Sequence, residues 1–187
     1  MTFSVVDFSE DLDLSEFYSE ALRRGYVNNS SQKRMIDCFN NEREFKAWIL
    51  YNDGKAVGSV AAHSFDDVMG PNSYRICART CTFTESGPRL GLITARRHCG
   101  EHQNLTAQFF MPKCIEWVNG RGDIYITSND SIEMHQRLVH NIYFPVLLKY
   151  GTVDKIRDVL YRGHVQTVWK LNVDVFLKQL NQHERWT

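Results

Sequence analysis

The spacing of apolar positions changes period repeatedly along the chain, and each change marks an element. Thr2 to Phe8 alternates and is rich in β-formers, which predicts a first strand. Leu14, Phe17, Tyr18, Ala21 and Leu22 then fall on one helical stripe, opened by a capping box of Asp13 with Glu16 and stopped by Gly25. Asn28-Asn29-Ser30-Ser31 reads as a loop and N-cap before a second, shorter helix carrying Met35, Ile36 and Phe39.

The clearest local signal is the pair of runs Ala47–Tyr51 and Lys55–Ala62, joined by Asn52-Asp53-Gly54. Asp-Gly tolerates the positive φ angles of a tight hairpin turn, so two antiparallel strands are expected. A loop over 66–73, centred on Gly70-Pro71-Asn72, leads to a strand from Tyr74 to Thr84. Over 105–119 Phe109, Phe110, Cys114, Ile115 and Val118 share a helical face, within which Pro112 must kink the helix or start a new one. Asp123–Thr127 is a short β-prone run. Asn129, Asp130 or Ser131 then caps a long helix through Ile132, Leu138, Val139, Ile142, Tyr143, Val146 and Leu147, bent by Pro145 and ended by Gly151. Two β-prone runs flanking Arg162-Gly163 suggest a closing hairpin, and Val173, Phe176, Leu177 and Leu180 mark a terminal helix.

The order β, α, α, β, β, β, α, β, α, β, β, α indicates an α/β (mixed α+β) architecture. Its centre is a mixed, mostly antiparallel twisted sheet with helices on both faces. The 187 residues suit a single domain spanning 1–187, and neither repeats nor linkers interrupt them. With 43% apolar and 24% charged residues the chain is expected to fold.

Charge narrows the partners. Lys plus Arg equals Asp plus Glu, 22 against 22, so no global field exists to hold a nucleic acid or a membrane surface, and neither is an expected partner. The N-terminus lacks the basic start and long apolar stretch of a signal peptide. Five irregularly spaced cysteines argue against a disulfide framework, so a cytoplasmic protein is expected. Cys77 and Cys81 stand too far apart on a strand to share a metal easily, no Cys-x-x-Cys pair occurs, and no metal is expected.

Candidate chemistry centres on the strand ending at Thr84 and the basic loop ending Arg96-Arg97-His98-Cys99-Gly100. A strand, a loop with two arginines and a glycine, and then a helix make an anion cradle, because a helix N-terminus offers unpaired N–H groups. Glu85, just past the strand, is a candidate proton acceptor.

The element order over about 1–171 resembles that of the GNAT (acyl-CoA N-acyltransferase) superfamily. In that family the cofactor loop reads Arg or Gln, two residues, Gly, one residue, then Gly or Ala. Arg97-His98-Cys99-Gly100-Glu101-His102 follows it except at His102, where the family has a small residue. The resemblance implies a transferase moving an acetyl or other acyl group from acetyl-CoA or another acyl-CoA to an amine of a small molecule or protein, the CoA thioester acting as co-substrate. It implies backbone contacts from Thr82, Phe83 and Thr84 to pantetheine, phosphate contacts from Arg97 and the amides around Gly100 with Arg96 beside them, and a cofactor contact from Asn129. It also implies a tyrosine acid for the departing thiolate, Tyr143 or less readily Tyr150. His63 is a candidate lining residue of the acceptor pocket, Trp48, Tyr161 and Trp169 suit an aromatic acceptor wall or the core equally, and a homodimer is compatible with this reading. A non-catalytic binding or assembly protein that keeps the same architecture is the alternative, consistent with His102.

Overall fold

The structure, a computed structural model, describes residues 2–25, 27, 31–82, 109–129 and 144–184. In chain order the elements are β1 (Phe3–Asp7), α1 (Ser15–Arg23), α2 (Ser31–Asn41), β2 (Lys46–Asn52), β3 (Lys55–Ser64), α3 (Asp66–Met69), β4 (Ser73–Cys81), α4 (Met111–Val118), β5 (Asp123–Asn129), α5 (Phe144–Lys149), β6 (Val153–Tyr161), β7 (His164–Leu171) and α6 (Val173–Glu184). The strands form one sheet in the order β1-β2-β3-β4-β5-β7-β6. Every neighbouring pair is antiparallel except β4 with β5, which is parallel. The expected mixed, mostly antiparallel sheet is therefore present.

Both predicted hairpins form, the first for the reason expected of Asp-Gly. Asp53 and Gly54 adopt φ of 47° and 80°, and Arg162 and Gly163 adopt 52° and 77°, so each two-residue turn carries the paired positive φ that matches strand twist. Period-two alternation then sorts side chains to two faces. Trp48, Leu50, Val60, Ala62, Ile76, Ile124, Ile126 and Trp169 face Phe110, Met111, Cys114, Val118, Phe144, Leu147 and Phe176 of the α4, α5 and α6 side. Ala47, Ile49 and Ala61 face Phe17, Tyr18 and Met35 of α1 and α2. Phe65, Tyr125 and Val168 make a third cluster near the final hairpin.

Several local expectations change. Asp13 accepts from the N–H and hydroxyl of Ser15 at 3.0 and 2.6 Å, but no side-chain bond caps α1 and Glu16 instead lies 3.8 Å from Lys55. Of the two alternatives for Pro112, it stands in the first turn of α4, where its missing N–H is harmless, directly after a π-helical turn at Phe109 and Phe110. Residues 66–69, expected as loop, form a short helix in which Met69 and Gly70 donate to the carbonyls of Phe65 and Asp66. The long helix predicted from about residue 130 is described only as α5, and its earlier part lies outside the described residues. Among the described residues no helix is long and apolar enough to cross a membrane.

Candidate active site

Strands β4 and β5 pair only at one end. The parallel ladder runs from Ser73↔Asp123 to Ile76↔Ile126 and stops there, although β4 continues to Cys81 and β5 to Asn129. Beyond Ile126 the β5 residues Thr127, Ser128 and Asn129 pair with β7 alone, and beyond Ile76 β4 pairs with β3 alone. Two central strands thus present unzipped backbone edges to each other. Such an edge offers N–H and C=O groups to an extended ligand.

An irregularity in β4 accompanies the parting. The register against β3 shifts between Ala61↔Cys77 and Ser59↔Thr80, and Ala78 sits inside the bulge at φ 50°, a left-handed conformation uncommon for a residue with a Cβ. Ser59 Oγ donates to the Ala78 carbonyl at 3.0 Å and so holds the bulge. Tyr18 of α1 lies beside Ser59, and burial pushes its phenol up to about 12. Past the bulge, Thr82 N–H donates to Val57 O at 2.8 Å, which turns the Thr82 backbone toward β3. By alternation the N–H and C=O of Cys81 turn the opposite way, into the gap.

A polar cluster lies beside the gap, with Arg75 on the α1–α2 side and Arg79, one residue before Thr80, alternating to the other face. Arg75, buried, donates Nε–H to Thr127 Oγ1 at 2.7 Å and Nη2–H to Gln166 Oε1 at 2.9 Å. Its guanidinium lies over the Tyr161 ring at 4.8 Å and near the Phe65 ring at 5.8 Å. Arg79 reaches across the gap and donates Nη2–H to Thr127 O at 3.0 Å. Burial pushes the Arg79 guanidinium down to about 10, and the nearby Arg75 charge works in the same direction.

His63 is wholly buried here. Burial, and after it the Arg75 charge, lowers its imidazole to about 4. Its Nδ1 lies 2.6 Å from Ser64 O and its Nε2 3.4 Å from Arg75 Nη1, which assigns the proton to Nδ1 and leaves Nε2 as acceptor. The ring is neutral at pH 7, so the 3.7 Å approach of Glu42 is not an ion pair. Glu42 is instead paired with Arg162 of the β6–β7 turn, whose Nη1 lies 2.9 Å from Cys38 Sγ.

No family model and no curated protein matches this sequence. Solved structures do match the fold. One is a GNAT-family protein from Desulfovibrio desulfuricans, with TM-score 0.59 and 8% identity over 92% of this chain and 99% of that one. Another is the aminoglycoside acetyltransferase AAC(6')-Ib, solved with coenzyme A, with TM-score 0.57 and 10% identity over 95% and 98%. A third is FeeM, an N-acyl amino acid synthase from uncultured soil microbes, with TM-score 0.55 and 9% identity over 95% and 94%.

The chain has the GNAT fold. The expected site residues distribute unevenly over this GNAT framework. Thr82 borders the gap but is buried, with both its N–H and its hydroxyl directed at Val57 O. Asn129 ends β5 on its unzipped side. Phe83, Thr84, Glu85, Arg96, Arg97, Gly100 and Tyr143 lie outside the described residues. Tyr150 is exposed just after α5.

The side chains expected around the acceptor are mostly committed elsewhere. Trp48 and Trp169 belong to the core on the α4–α6 face, Trp48 edge-on to Trp117 and Trp169 stacked on Phe144. His63 is sealed, and Tyr161 covers Arg75. Arg75 and Arg79 were legible only as members of a strand. The signal for them was two arginines spaced four apart in an otherwise β-rich central strand, where charge is rarely buried without a purpose.

Proposed function

We propose that this chain is an acyl-CoA-dependent N-acyltransferase that moves an acetyl or other acyl group from a CoA thioester to an amine of a small molecule or protein. The observation that carries this reading is the early end of the β4–β5 ladder at Ile76↔Ile126, with both strands continuing past it. An unzipped strand edge can hydrogen-bond the amide groups of a pantetheine arm as a further strand would. The cytoplasm is the compartment proposed for it. Solved structures of the same fold support an amine acceptor, since AAC(6')-Ib has been solved with coenzyme A and kanamycin and FeeM is an N-acyl amino acid synthase.

The thioester supplies an activated acyl carbon. In this reading the Cys81 backbone lies along the arm together with the chain from Thr82 through Phe83 to Thr84, Arg96, Arg97 and the amides around Gly100 take the phosphates, and Asn129 contacts the arm from β5. The acceptor nitrogen uses its lone pair to form the C–N bond as the C–S bond breaks. The sulfur leaves with the electron pair and takes a proton, assigned to Tyr143, while the nitrogen gives one up.

Proton acceptance is assigned to Glu85, directly or through water. No Asp or Glu occurs within β4. Asp123 at the zipped end of β5 is paired with Lys170 at 2.7 Å, and both nitrogens of His63 are engaged.

The test is twofold. Acetyl-CoA should raise the melting temperature, as a ligand binding only the folded state must, and free CoA thiol should appear when an amine panel is added. No shift at about millimolar acetyl-CoA, with Arg97→Ala indistinguishable from the parent, would defeat the proposal.

A further inference from the structure

Two guanidinium groups converge on one residue of β5. Arg75 binds the Thr127 hydroxyl and Arg79 binds the Thr127 carbonyl. Among the described residues no carboxylate pairs with either. The other partners of Arg75 are Gln166, neutral His63 and two aromatic rings. Arg79 has no further polar partner among the described residues. Described carboxylates in the surrounding elements are engaged elsewhere: Glu42 with Arg162, Asp123 with Lys170, and Asp158 with the Thr167 hydroxyl.

An uncompensated pair of like charges, one buried and one half-buried, is costly to hold. Arg79 remains charged at neutral pH even when pushed down to about 10. A guanidinium has five N–H donors, of which Arg79 places one on Thr127. The half-buried Arg79 side chain spans the place where β4 and β5 part, and beyond Thr127 O its N–H groups find no partner among the described residues.

We infer that the amine acceptor carries a carboxylate, as an amino acid does, and that Arg79 binds that carboxylate while Arg75 holds Thr127 and adds its field. The inference rests on the acyltransferase reading and names the substrate class for that site. A planar guanidinium fork matches a carboxylate with two parallel hydrogen bonds. The reacting atoms are unaffected: the amine nitrogen bonds the acyl carbon, sulfur departs and is protonated, nitrogen loses a proton, and the carboxylate is unchanged.

The experiment uses the full chain as parent, Arg79→Gln and Arg79→Lys, each first checked for a cooperative melt. Calorimetry with acetyl-CoA comes first, and all three proteins should bind it within about twofold of one another. A parent that fails to bind acetyl-CoA overturns the acyltransferase reading. The second arm does not depend on turnover. Common amino acids, their amides and the matching decarboxylated amines are scored by melting-temperature shift, with and without acetyl-CoA, and by CoA release.

For at least one amino acid the parent should favour the free acid over the amide by about tenfold or more. Arg79→Gln should bring that ratio to within about twofold of unity, with Arg79→Lys falling between. Equal response of the parent to acids and amides in both readouts would overturn the inference. So would a preference that survives in Arg79→Gln or, if that variant does not fold, in undiminished form in Arg79→Lys.

Discussion

Gly122 lies against Asn72 so closely that a Cβ built on it would stand 1.8 Å from the Asn72 carbonyl oxygen and 2.5 Å from its carbon. That same oxygen accepts the N–H of Asp123 at 2.9 Å, the bond that opens the parallel ladder between β4 and β5. Backbone meets backbone here, so no side chain can swing aside. The contact fixes where the two strands begin to pair and hence where, a few residues later, they part.

Gly122→Ala should therefore be among the most damaging single substitutions in the chain. Relief requires moving Asn72, which already holds φ of 60°, and breaking the first rung of the ladder. The expected cost is about 3 kcal/mol or more, a fall in Tm of about 10 °C for a chain of this size. A urea or thermal melt within about 0.5 kcal/mol of the parent would show that this junction does not set the register.

The face away from α1 depends on another close pair. Phe144 stacks on Trp169 with centroids 4.2 Å apart and planes inclined by 10°, and both rings are buried. Trp169 Nε1 also donates to Ser128 Oγ at 3.5 Å, next to the unzipped end of β5. Phe144→Ala should cost about 3 to 5 kcal/mol, and Phe144→Leu less than half of that, because the aliphatic side chain refills most of the volume. Equilibrium urea unfolding of the two variants decides it. Equal losses would mean that stacking, rather than filled volume, dominates.

Much of this architecture was readable from residues with strong local rules. Asp53-Gly54 and Arg162-Gly163 dictated two hairpins, and the apolar stripes of α1, α2 and α6 chose their buried faces. The bulge at Ala78 was not readable, since its left-handed backbone is imposed by Ser59 across the sheet and carries no glycine to announce it. Residues 66–69 were hidden by the turn signals of Gly70-Pro71-Asn72 that follow directly. Trp48 and Trp169 could not be assigned to core or pocket from spacing, because a half-buried strand uses aromatic residues equally well for either. The convergence of Arg75 and Arg79 on Thr127 depends on which strands become neighbours, and that is a property of the assembled sheet.

His63 predicts how stability responds to acid. Its folded-state value of about 4 lies below the ordinary 6.5, so the unfolded chain takes up a proton that the native ring refuses. Stability from this residue is fully present above about pH 6.5 and is lost as the pH falls toward about 4, by an amount on the order of 3 kcal/mol. Glu42 near Nδ1 and Arg75 at Nε2 are the charged groups facing the ring, so comparison with a variant is needed to isolate it. His63→Gln, which can still donate to Ser64 O and accept from Arg75, should flatten the fall between pH 6.5 and 4.5. Parallel stability curves for parent and variant over that interval would count against a neutral buried imidazole.

The bulge itself can be tested without touching any group assigned to chemistry. Ala78 pays a steric penalty for φ of 50° that glycine would not, so Ala78→Gly should be neutral or stabilising by up to about 1 kcal/mol. Ser59→Ala removes the hydroxyl that donates to the Ala78 carbonyl at 3.0 Å, which should cost about 1 to 2 kcal/mol. The two changes act on opposite sides of one balance. If the bulge shapes the parted edge, Ser59→Ala should also weaken acetyl-CoA binding several-fold, whereas Ala78→Gly, which keeps the Ser59 anchor, should leave it nearly unchanged. Calorimetric titration of both variants reads the difference directly, and identical affinities in the two would detach the bulge from the opening between β4 and β5.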